Sequence, residues 1–173
     1  MISIKFPYYF SGTLILGLFL LTGIHTSGQV VRSQVTEWTE ILDASSLSTP
    51  NEAGSDLNPT LETVANYNQL DINNVKNTQN WRVTVSKLDI NWTPLFVPYI
   101  QRTSIGVPCG SCTGVNVGTS VMGYMPITDL EQDFIYGTGK VNDIDLQFRI
   151  EGITLAVKAD YYRTTVVFTL YGD

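Results

Sequence analysis

The sequence predicts an all-β fold: an antiparallel β-sandwich of about seven strands behind an N-terminal signal peptide. Three observations predict it. Apolar and polar residues alternate with period two in several segments, glycine and proline punctuate the chain every 8–15 residues, and no apolar stripe of helical period follows the first thirty residues.

The alternation is clearest over residues 141–152. Ile144, Leu146, Phe148 and Ile150 fall on one face, and Asp143, Asp145, Gln147, Arg149 and Glu151 on the other. Successive side chains of a strand point to opposite sides, so this pattern is a half-buried strand. Trp81, Val83 and Val85 alternate with Arg82, Thr84 and Ser86 in the same way. Residues 164–171 are dense in β-branched and aromatic side chains, and Val166, Phe168 and Leu170 are expected to face inward. Further strands are expected at residues 35–42, 91–103 and around Leu155, Val157 and Ala159; Pro94 and Pro98 push the second of these to a sheet edge or a bulge. Leu61, Val64 and Leu70 allow at most one helical turn. Residues 73–80 read as a turn.

The first 29 residues have the three-part layout of a secretory signal. Lys5 opens it. An apolar core follows (Leu14, Ile15, Leu16, Leu18, Phe19, Leu20, Leu21), and small and polar residues close it, with cleavage expected near residues 27–29. The core is shorter than the roughly 20 residues that span a bilayer, so no transmembrane segment is expected in the mature chain. Residues 30–173 then form one domain, with residues 44–59, rich in Ser, Asn, Pro and Gly, as a long loop. Losing Lys5 leaves nine basic against sixteen acidic residues, a net charge of −7. Nucleic acid and anionic membrane both need basic patches, so neither is an expected partner. The expected location is secreted, at the cell surface or in the periplasm.

Chemistry-bearing motifs are few. Cys109 and Cys112 form a CxxC among Gly, Pro, Ser and Thr, where the reading is a small disulfide pinning a loop; a redox pair would open a helix. Zinc needs about four ligands, and neither a third cysteine nor a histidine remains once His25 leaves with the leader. A Ser-His-Asp arrangement fails for the same reason, so no catalytic residue and no cofactor are assigned. Asp129, Glu131 and Asp133, and separately Asp143 and Asp145, could contribute to a calcium or glycosidase site, but they read first as a solvated outer face. Trp38, Trp81 and Trp92, with several tyrosines, read as core or as a recognition surface. Residues 91–93 (NWT) fit the N-glycosylation pattern.

The tail GITLAVKADYYRTTVVFTLYG, residues 152–172, resembles the last two strands of fimbrial and pilin-type subunits, and the region of Gln29 resembles the export-signal ends of Bacteroidetes secreted proteins. The resemblance implies an immunoglobulin-like sandwich that assembles by strand exchange, in which a donated strand fills an open sheet edge. The donor expected is residues 30–42, with Val30, Val35, Trp38 and Ile41. The acceptor edge expected lies beside residues 164–171, with Val166, Phe168 and Leu170. The expected function is that of a non-enzymatic structural or adhesive surface protein, partnering itself or another surface protein. The rival is a secreted carbohydrate-binding module, with or without dependence on calcium, whose partner is a glycan.

Overall fold

The computed structural model of the chain describes residues 2–5, 29–34, 37–40, 60–118, 120–153, 157 and 160–172. In chain order the strands are β1 (Ile2–Lys5), β2 (Val30–Ser33), β3 (Glu37–Glu40), β4 (Leu61–Glu62), β5 (Asn68–Asn73), β6 (Asn80–Asn91), β7 (Val97–Arg102), β8 (Val107–Pro108), β9 (Gly114–Val115), β10 (Met125–Pro126), β11 (Gln132–Thr138), β12 (Val141–Glu151) and β13 (Tyr162–Gly172). One sheet has the order β3-β1-β13-β6-β11-β9; the other has β10-β7-β12-β5-β2, with β4 and β8 also on β12. Pairing is antiparallel except for β1 beside β13. The fold is an antiparallel β-sandwich, as the alternation predicts.

The core follows directly from the period-two pattern. Ile144, Leu146, Phe148 and Ile150 of β12 are each 0% exposed, which fixes the inner face of their sheet. Val83 and Val85 of β6 and Val166, Phe168 and Leu170 of β13 are buried in the same cluster. Burying each such side chain contributes about 1.5–3 kcal/mol before entropy is subtracted. Trp81 is buried too, with its indole N–H donated to the Gly139 carbonyl at 2.7 Å. Its ring lies over Gly137, its cross-strand partner: a Cβ there would stand 2.3 Å from the indole.

A bulge adjusts β12. Val141 pairs with Ile72 and Ile144 with Leu70, so β12 takes three steps where β5 takes two. The extra residue places Asp143 at φ 55°, lets both Val141 and Ile144 face inward, and leaves the Asp143 N–H to donate to Asp71 Oδ1 at 2.9 Å.

Elsewhere the elements differ in detail from expectation. Leu61 and Leu70 lie on strands β4 and β5, and between them a single turn closes, with the Tyr67 N–H donating to the Val64 carbonyl at 3.1 Å. The expected strand over residues 91–103 divides: Asn91 ends β6, Pro94 sits in a turn, and β7 begins at Val97. The Pro98 carbonyl accepts from the Ile127 N–H at 2.8 Å, on the side away from β12. Backbone groups of one antiparallel residue share a side, so the missing proline donor costs the β7–β12 ladder nothing. The expected loop at residues 44–59 and most of the strand around Leu155 lie outside the described residues. The described strands number thirteen, more than the seven expected, and four of them (β4, β8, β9, β10) are only two residues long.

Candidate functional site

The margin of the first sheet is built from the N-terminal part of the chain. β1 runs parallel to the start of β13, with Ile2 opposite Tyr162, Ile4 opposite Thr164 and Lys5 opposite Thr165. On its other side β1 pairs with β3, Ile4 opposite Trp38. The strand lying directly on β13 over residues 162–165 therefore comes from residues read above as leader. β2 lies in the other sheet, on β5, with Val31 buried and Gln29 against Gly172.

The residues expected at an interface have mixed positions. Val30 is half-buried at the start of β2. Trp38 is 4% exposed, inside the core, with its ring 6.2 Å from that of Tyr67. Val166, Phe168 and Leu170 face the core, so an added strand could meet only their backbone. Val35 and Ile41 lie outside the described residues.

Cys109 and Cys112 form a disulfide in the link between β8 and β9. It is seated against the β11–β12 turn: the Cys109 N–H donates to the Lys140 carbonyl at 3.0 Å, and a Cβ on Gly139 would come within 2.5 Å of the Cys112 sulfur. Asn77 Nδ2 donates to Ser111 Oγ at 2.6 Å, bringing in the turn before β6. The pair thus ties three turns at one end of the sandwich.

Each outer face carries a cluster of tyrosine, arginine and carboxylate. On the first sheet, Arg82 Nη1 donates to Asp133 at 2.7 Å, Tyr136 donates its hydroxyl to Asp133 at 2.6 Å, and Tyr171 donates to Glu131 at 2.9 Å. Thr84 also donates to Glu131, and the Arg82 guanidinium lies 4.7 Å from the centre of the Tyr171 ring. The Tyr136 hydroxyl, then Arg82, hold the Asp133 carboxyl below its ordinary pKa, while the Glu131 bond and partial burial push the Tyr171 phenol up. On the second sheet, Arg149 pairs with Glu62 at 2.9 Å and stacks 3.8 Å from the centre of the Tyr124 ring. The Tyr124 hydroxyl is buried near Glu62 but outside good hydrogen-bond geometry. Burial, and after it Glu62, push its pKa up to about 12.

Sequence reasoning groups the carboxylates by spacing, and the structure separates them by partner. Asp145 accepts from Gln69 at 2.7 Å and Asp143 from Gln34 at 3.1 Å. Among the described residues, no three His, Cys, Asp or Glu side chains come together as a metal site would need. Nor do the tryptophans share an exposed face: Trp38 and Trp81 are buried, and Trp92 packs edge-on to Phe96 while donating its indole N–H to the Phe96 carbonyl at 2.8 Å. The Arg149–Tyr124 stack has no sequence signature, because the two residues are 25 positions apart and meet only through β10–β7–β12 pairing. No helix among the described residues is long and apolar enough to cross a membrane.

The chain matches no family model, and neither the curated proteins nor the solved structures give a match to it.

Proposed function

We propose that this protein is a secreted structural or adhesive subunit that self-associates by adding a strand to the edge of β13. One observation carries the reading. The strand beside residues 162–165 is Ile2–Lys5, inside the expected leader. Removing the leader would vacate that position, and with it the described ladder of β3. A parallel strand of another copy then meets backbone groups already oriented for pairing. The donor narrows from residues 30–42 to β3 and its surroundings, because β2 is committed to β5 through four residue pairs. The disulfide supports export, since such bonds persist in oxidising compartments.

Light scattering on residues 30–173 over a range of concentrations tests this, with and without a synthetic peptide of residues 34–43. Mass that rises with concentration and falls when the peptide is added is the expected result. Association that ignores the peptide would remove β3 as donor, and a monomer at every concentration would remove the subunit reading.

A further inference from the structure

Among the described residues, one buried cation has no carboxylate paired with it. Arg102 ends β7 on the inner face, opposite Leu146, and is 9% exposed. Its Nη1 donates to the Ser104 carbonyl at 2.9 Å, while its Nε is buried with no partner. No carboxylate pairs with it among the described residues, unlike Arg82 and Arg149 on the outer faces. Burial alone pulls its pKa downward, with no opposing charge to raise it.

Buried charges in folded proteins are paired or hydrogen-bonded, because removing a charge from water without compensation is costly. Arginine keeps its proton, so neutralisation offers no escape. The setting is polar on one level of the sandwich. Leu146 separates Arg102 on one side from Asn68 on the other, and Asn68 donates to Ser33 Oγ at 2.8 Å. Arg102, Asn68 and Ser33 are all buried polar residues at inward positions on three strands of the same sheet. One Nη1 N–H is committed to Ser104, and the buried donor left without a partner, the Nε–H, lies on the Nε–Nη2 edge. That edge carries two parallel N–H groups and fits two oxygens of one oxyanion.

We infer that Arg102 is the anchor of a binding site for a small oxyanion, a carboxylate or a phosphate, held bidentately on the Nε–Nη2 edge at the β7 end of the sandwich. The loop that follows β7 supports the guanidinium: Ser104 Oγ is itself fixed by the N–H groups of Asp145 at 2.8 Å and Gly106 at 3.3 Å. The inference does not depend on strand addition at β13, because β7 belongs to the other sheet.

Inorganic phosphate and acetate are the probes, added at low millimolar concentration against chloride of equal ionic strength, with thermal unfolding and the Arg102 Nε–H resonance as readouts. A ligand that binds only the folded state at about ten times its Kd should raise Tm by about 3–6 °C. The same additions should shift the Arg102 Nε–H signal and slow its exchange with water. In Arg102→Met the response of Tm should vanish, and without anions this variant should be at least as stable as the native protein, because an uncompensated charge is gone. Arg102→Lys keeps the charge but not the fork, so its response should fall at least several-fold. A preference between phosphate and acetate separates the two oxyanion classes. Equal Tm shifts in the native protein and Arg102→Met, or an Arg102 Nε–H signal unmoved by both anions, would overturn the site.

Discussion

Tyr124 and Gly137 show how single residues are set by what surrounds them. The Tyr124 phenol titrates near pH 12 where an ordinary tyrosine titrates near about 10, chiefly because burial disfavours its charged form. A folded-state pKa above the unfolded one means that the neutral phenol is favoured by folding. This contribution is fully present below about pH 10 and is lost as pH rises through about 12. An alkaline absorbance titration of the nine tyrosines should therefore end in a late step, and Tyr124→Phe should remove it. The same substitution should leave stability within about 1 kcal/mol of native or raise it, since the hydroxyl it deletes is buried without a good partner. Gly137 is constrained from the opposite direction. A methyl group there meets the Trp81 indole at 2.3 Å and the Gly114 carbonyl at 2.8 Å, and neither can move without disturbing β6 or β9. Gly137→Ala should cost about 1–3 kcal/mol by chemical denaturation, with a change in Trp81 fluorescence.

At the scale of the element, much was legible where one face is simply wet and the other dry. Ile144, Leu146, Phe148 and Ile150 announce β12 by spacing alone, and Val166, Phe168 and Leu170 do the same for β13. The bulge at Asp143 was not legible, because its cause is the pairing with β5, a strand 70 residues away in sequence. The end of β6 shows a signal that reasoning by alternation passes over. Val83 and Val85 face inward, but the apolar phase then switches to Leu88 and Ile90, which are 59% and 54% exposed. The switch marks the point where β11 stops covering the strand: its last pair is Gln132 with Val85, followed by one bond from Lys87 to Thr128. β6 carries an extra residue, Ile90, between the partners of Arg163 and Thr164, and Lys87 and Asp89 pair just before it. Bulges and charges of this kind blunt a sheet edge against uncontrolled pairing. The disulfide belongs to this scale too. Its loop spans so few residues that closing it removes only about 2 kcal/mol of chain entropy. Replacing both Cys109 and Cys112 by Ser should therefore lower stability by no more than about that amount. Amide exchange should quicken at the three turns it ties and stay unchanged in β12 and β13.

The whole molecule is a sandwich whose second sheet is completed by residues from Val30 onward, while its first sheet takes a strand from Ile2–Lys5. The candidate site at that margin was only half legible. The C-terminal strand could be named from alternation, whereas an N-terminal donor followed only from the fimbrial resemblance and stays part of the proposal. The parallel placement of β1 could not be named, because four residues of mixed character carry no pairing signal of their own. Arg102 was hidden for a similar reason: Val97 and Tyr99 on one face of its strand are as apolar as Pro98 and Ile100 on the other, so the sequence does not say that Arg102 faces inward while Arg149 faces out. The central claim is the proposal that the edge of β13 becomes an acceptor when the expected leader, residues 1–29, is removed. Amide hydrogen exchange at residues 162–165, compared between residues 1–173 and residues 30–173 and followed as the latter is concentrated, tests it most directly. The account predicts protection in the longer chain, rapid exchange in the dilute shorter chain, and protection regained as copies associate. Equal protection in the dilute shorter chain would mean that the edge closes by itself, and the claim would fail.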